Sequence, residues 1–152
     1  MENSNTVSVL NDLLHVINDR QEGYEKVEGK IWETNRDLKN KFDHSISQNM
    51  IMKNEIINLI TRREGNPEDS TTISGTFHRV WIDVKNSLLV SSLETSTLQN
   101  VIFGENAAIQ AYQEALDSES LDEESREVIA EQLKRIKDSL HEFKGISENI
   151  SS

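Results

Sequence analysis

Cysteine is absent from the 152-residue chain. Disulfide frameworks, cysteine-based zinc sites, iron–sulfur clusters and thiol nucleophiles are therefore excluded together. Proline occurs once and glycine six times. That is too little punctuation for a β-sandwich or barrel, which needs a turn about every 8–12 residues. No stretch approaches about 18 consecutive apolar residues, so no membrane span is expected. The opening MENSNTVSVL lacks a basic region followed by an apolar run, so no secretory signal is expected, and the expected location is cytoplasmic. Basic residues are the minority, 16 against 27 acidic, for a formal charge of −11. Nucleic acid and anionic membrane are polyanions and are not expected partners. The sequence also lacks a Gly-rich phosphate loop, GxSxG, HExxH and an Asp-rich calcium loop.

What remains is helical periodicity. A first helix is predicted over about 6–31, with Val7, Leu10, Leu14, Ile17, Gln21, Tyr24, Glu28 and Ile31 spaced alternately by three and four. Thr34 with Asp37 resembles a capping box. It would open a second helix over about 35–64, through Leu38, Phe42, Ser45, Asn49, Met52, Ile56 and Leu59. Gly65 and Pro67 mark its end. GNPEDSTTIS at 65–74 reads as a loop, followed by a short amphipathic helix at about 75–89. A third long helix is predicted over about 92–117 and a fourth over about 122–147. Ser120 and Glu123 form a second capping box between them, and the last residues, SENISS, are expected to fray.

Each long helix carries one apolar stripe and needs neighbours on that side. An all-α four-helix bundle satisfies all of them at once. Short connections make the first and second helices, and the third and fourth, antiparallel pairs. The 65–91 segment, with its extra helix, is long enough to cross over along the bundle. One domain is expected over 1–152, with its core in about 6–147.

At this level the sequence resembles the ferritin-like superfamily, and within it a branch of small bacterial four-helix-bundle proteins of unknown function. The carriers are Leu10-Asn11-Asp12-Leu13, Asp19 and Glu22-Gly23-Tyr24; Gly65-Asn66-Pro67; Gly75 with His78-Arg79-Val80-Trp81; and Gly104-Glu105-Asn106-Ala107 with Tyr112. The resemblance implies an up-down bundle with a long crossover, and by analogy a bacterial stress role. It implies no agreed activity.

Ferritin-like di-metal proteins direct a Glu from each of two helices, and a Glu-x-x-His pair from each of the other two, into the bundle. Two divalent cations need several anionic oxygens, with imidazoles to set geometry. Here Glu105 lies in the stripe of the third helix. The first helix offers Gln21, flanked by Glu22 and Glu25. The second offers Gln48 and Asn49 but no Glu-x-x-His. The fourth has Asp138-Ser-Leu-His141, with Asp138 off the stripe and His141 beside it; its inner polar residue reads as Gln132. The expected mid-height layer is Gln21, Gln48 or Asn49, Glu105 and Gln132, one carboxylate among amides. Amides satisfy a buried carboxylate but do not neutralise two divalent cations. No metal and no cofactor is expected. Iron or manganese held by Glu22 or Glu25 with Glu105, Asp138 and His141 is the alternative, with oxidase, peroxidase or storage chemistry.

His78, Arg79 and Trp81 are expected to anchor the crossover helix. His15 and His44 read as solvent-facing or locally bonded, Tyr24 and Tyr112 as core aromatics, and Met50 and Met52 as gap-fillers. With no catalytic constellation, the expected function is a non-enzymatic structural or interaction protein. A homodimer or a protein partner is possible through the short helix or a flank of the bundle.

Overall fold

The computed structural model describes residues 2–31, 36–68 and 94–151. The described residues are all-α, with four helices and no strand: α1 (Glu2–Ile31), α2 (Arg36–Arg62), α3 (Glu94–Asp117) and α4 (Glu123–Ser151). The predicted helix at 75–89, with His78, Arg79 and Trp81, lies outside the described residues, as does Thr34. SENISS does not end the helix: α4 continues to Ser151. None of the described helices is long and apolar enough to cross a membrane.

Neighbouring helices are antiparallel. α1 packs against α2 and α3, and α4 packs against the same two from the opposite corner. Thr6 Oγ1 donates to the Ser120 carbonyl (2.8 Å), and Arg63 bonds Asp122, so the start of α1, the end of α2, the end of α3 and the start of α4 share one end. Lys41 and Glu142 pair toward the other end. α2 and α3 therefore run parallel on diagonal corners, and the chain leaving Glu68 must return roughly 40 Å before α3 begins.

The core has two parts. The larger, around Leu10, Leu14, Ile56, Leu59, Tyr112 and Ile129, fills the end where Gly65 and Leu121 lie. The smaller holds Tyr24, Phe42, Val101 and Phe143 toward the other end. α1 is enclosed on every side over Leu13–Arg20.

Two helix ends differ from the sequence expectation. At the end of α2, Gly65 N–H donates to Ile60 C=O and Glu64 N–H to Thr61 C=O, both at 3.0 Å. This is a Schellman closure, and Glu64, with φ 61°, takes the left-handed position that Gly65 was expected to fill. Glycine is needed at 65 for space instead. A Cβ there would lie 2.7 Å from Val7 Cγ1, and valine is stiff at χ1. At the start of α4 the cap is Asp122, not Ser120: Asp122 Oδ1 accepts from Ser125 N–H at 2.9 Å, while the Ser120 carbonyl is engaged by Thr6. Met50 also departs from the expectation. Met52 is fully buried, but Met50 is 53% exposed.

Candidate functional site

Between the two core clusters three helices contribute a buried polar side chain, Arg20 from α1, Asn49 from α2 and Glu105 from α3, while the buried Gln132 of α4 lies within the larger cluster, between Ile129 and Ile136. The centre is an ion pair. Arg20 Nε donates to Glu105 Oε1 and Arg20 Nη2 to Glu105 Oε2, both at 2.7 Å. Each side chain is only 2% exposed. This two-pronged geometry matches the fork of a guanidinium to the two oxygens of a carboxylate. The remaining prong is also used: Arg20 Nη1 donates to Asn49 Oδ1 (3.0 Å). Asn49 Nδ2 in turn donates to the Ile17 carbonyl and to Gln21 Oε1, each at 3.0 Å. Burial opposes the Arg20 charge, but the Glu105 carboxylate, with Tyr24 and Tyr112 adding to it, holds the guanidinium pKa above its ordinary value.

Below the ion pair lies Tyr24. Arg20 Cζ sits 5.0 Å from its ring centroid, a cation–π distance. The ring also meets Phe42 edge-on at 5.8 Å. The Tyr24 hydroxyl is buried near Glu105 and Ser139 without a well-formed hydrogen bond; its pKa is pushed well up by burial, with Arg20 opposing and Glu105 adding to the rise. On the other side Gln132 forms a second hub. Tyr112 Oη donates to Gln132 Oε1 (2.7 Å), and Gln132 Nε2 donates to the Met52 carbonyl (3.1 Å) and Glu55 Oε1 (3.0 Å). Glu55 also accepts from Arg135 (3.2 Å).

Of the polar layer expected from the sequence, Asn49, Glu105 and Gln132 are buried, while Gln21 and Gln48 are half-buried. Gln21 sits beside the layer, accepting from Asn49 and donating to Glu25 (2.9 Å). Arg20, which periodicity reasoning passed over, takes the central α1 position. Glu55 was missed as well. The carboxylates and imidazole weighed as metal ligands are not gathered: Glu22 is half-buried, and Glu25, Asp138 and His141 are exposed. Among the described residues, no group of three or more such side chains could hold a metal ion.

A second polar cluster fastens the chain leaving α2 to α1. Asn11 Nδ2 donates to the Asn66 carbonyl (3.1 Å), and its Oδ1 accepts from Glu68 N–H (2.8 Å). His15 Nε2 lies 3.4 Å from Glu68 Oε2. Half-burial here pushes the Asp12 carboxyl up to about 6; His15 opposes the rise and Glu68 adds to it. The folded chain thus holds a proton that the unfolded chain releases between about pH 3.8 and 6. The stability contributed below that window is lost as pH rises through 6. Asp12→Asn is expected to stabilise the protein at pH 7.5 by about 1–2 kcal/mol after discounting for solvent screening, with little change at pH 4. Urea unfolding at the two pH values measures this. At the same end of the bundle, the Arg63 bond to Asp122 (2.6 Å) holds that carboxyl down at about 2.

No curated protein and no solved structure matches the chain. The profile of one family matches residues 5–118, from the start of α1 to the end of α3. By that match, which takes in Arg20, Asn49 and Glu105, the chain belongs to the family described as Domain of unknown function (DUF2383).

Proposed function

We propose that this chain is a ferritin-like bundle whose interior is closed by an ion pair in place of a di-metal centre, and that it acts as a non-enzymatic structural or interaction protein of the cytoplasm. The long return between the parallel helices α2 and α3 supports the ferritin-like reading, since one long crossover marks that connectivity.

The observation that carries the rest is Arg20. A di-metal centre needs several inward carboxylates with open lone pairs. Here the Glu105 carboxylate has both oxygens engaged by a guanidinium. The other helices present Asn49 and Gln132, neutral groups already bonded to Arg20, Tyr112 and backbone carbonyls. The donor set does not fit two divalent cations, and the positive charge they would supply is built into the chain.

Metal analysis of protein purified without an affinity tag tests this reading. The expected result is far less than one metal ion per chain, before and after incubation with ferrous iron or manganese. Near-stoichiometric iron or manganese would overturn it.

A further inference from the structure

The surface of the bundle is uneven in charge. On α4 the exposed positions include Glu127, Glu131, Lys134, Lys137 and Asp138, an ordinary solvated face. α2 is different. Seven of its exposed positions, Asn40, His44, Ser47, Ile51, Asn54, Asn58 and Thr61, follow one another at intervals of four and three, with the exposed Asp37 and Arg62 at the two ends. This is one stripe along a helix. It points away from both neighbours: Asn49 faces α1 through Ile17, while Glu55 and Arg63 face α4 through Gln132 and Asp122. Between its ends the stripe carries no carboxylate, lysine or arginine, in a chain of net charge −11, and the half-buried Asp43 and Glu55 border it. At its middle stand Met50 and Ile51, 53% and 56% exposed.

We infer that the outer face of α2 is a self-association surface, on which a second copy of this chain packs its own α2 antiparallel about a two-fold axis near Ile51. Three observations favour a second copy. Two chains that each carry −11 repel wherever acidic faces meet, and this stripe lets them approach with no charged side chain at its centre. A basic partner would be drawn to the acidic surface rather than to this one. The spacing of the stripe is also nearly symmetric about Ile51. With Ile51 against Ile51, His44 is level with Asn58, Ser47 falls within one residue of Asn54, and Asn40 within one residue of Thr61. A two-fold interface requires such self-complementarity, and amides and hydroxyls, as both donors and acceptors, supply it without charge. Finally, the stripe runs roughly 32 Å along α2, enough for an interface at the small end of the specific range. The dimer is therefore weak and concentration-dependent.

α3 also exposes an aromatic residue, Phe103, 51% accessible. Its outer amides are already turned onto their own helix, Gln110 to Glu114 and Gln113 to Asp117, so carboxylates border that face. Phe103 serves as the control.

This inference deepens the interaction reading proposed above. Metal content tests the interior and oligomeric state tests the surface, so the two readings fail separately. Sedimentation equilibrium of the full chain over about 5–200 µM is expected to show monomer and dimer in exchange. Ile51→Glu, which places two carboxylates at the axis, is expected to give a monomer throughout with an unchanged melting temperature. Phe103→Glu is expected to remain dimeric. Because the chain has no cysteine, Ile51→Cys introduces a single thiol. It is expected to yield a disulfide-linked dimer under copper-catalysed air oxidation, whereas Phe103→Cys is not. A wild-type monomer at about 200 µM overturns the inference and leaves the face to a different protein or to segment 69–93 of the same chain. A dimer that survives Ile51→Glu and does not crosslink through residue 51 overturns it equally.

Discussion

Arg20→Met is expected to lower the stability of the fold by about 3–5 kcal/mol in urea unfolding at neutral pH. Methionine keeps much of the length of the arginine stem, so the loss is not chiefly one of packing. It removes the cation paired with Glu105, whose side chain is 2% exposed. A carboxylate stranded in that environment either stays charged at high cost or takes up a proton. The change also removes the donor to Asn49 Oδ1 and the cation beside the Tyr24 ring. Arg20→Lys restores the charge but not the fork, and is expected to recover only part of the loss. The decisive variant is the double one. In Arg20→Met with Glu105→Leu both charges are gone, so neither is left unpaired. The desolvation that the ion pair suffers on folding is removed as well. The double variant is expected to lie within about 1–2 kcal/mol of wild type, although Arg20→Met alone is severe. A single variant costing less than about 1 kcal/mol would show that the pair does not organise the interior.

Such a pattern would say what the pair is for. Buried ion pairs contribute little net stability compared with well-packed apolar residues, but they penalise misalignment strongly. Arg20, Asn49 and Glu105 meet only when α1, α2 and α3 are in one vertical register. The hydrophobic clusters above and below would tolerate a slip of one turn more readily, because aliphatic contacts are less directional than a two-pronged charged bond.

Much of this arrangement was legible in the sequence. The long helices and the long return between the second and third follow from periodicity and from the placement of Gly65 and Pro67. Glu105 and Gln132 stand out as polar interruptions of apolar stripes. Arg20 did not, for a physical reason. Residues 13–20 of α1 are buried on all sides, so this stretch has no solvent face against which to fix the inward direction. Ile17 to Arg20 to Tyr24 is as good a three-and-four path as Ile17 to Gln21 to Tyr24, and an amide looks the safer interior residue. Charge balance could have decided it. A carboxylate in the seam needs a cation, and Arg20 is the first basic residue of the chain, with Lys26 the next. The α4 cap shifted for a similar reason, since Asp122 could serve Ser125 and Arg63 together and a serine at 120 could not. The stripe on α2 was hidden because a neutral surface is read only against a helix whose inward side is already known.

Phe143→Ala is expected to cost about 3–5 kcal/mol, and its effect should be confined to one half of the molecule. Phe143 is fully buried on α4, with ring centroids 5.1 Å from Phe42 of α2 and 6.1 Å from Tyr24 of α1. Lys41 lies 5.7 Å above its ring. The cluster it joins is small, with Val101 as the other buried member and Ile46, Ile102 and Ile146 around it. Few side chains are available to collapse into the space left by the ring, so the cavity persists and the cost falls in the upper part of the usual range for a buried aromatic. The polar layer then acts as a partition. Its bonds are made among Arg20, Asn49 and Glu105, none of which depends on Phe143, so the larger cluster should keep its packing. Hydrogen exchange is the measurement: amides of α4 beyond Ser139 and of α2 before Ser45 should lose protection, while those near Ile56, Tyr112 and Ile129 remain slow. Uniform loss of protection along all the helices would mean that the two clusters unfold as one unit and that the layer between them transmits, rather than isolates, the damage.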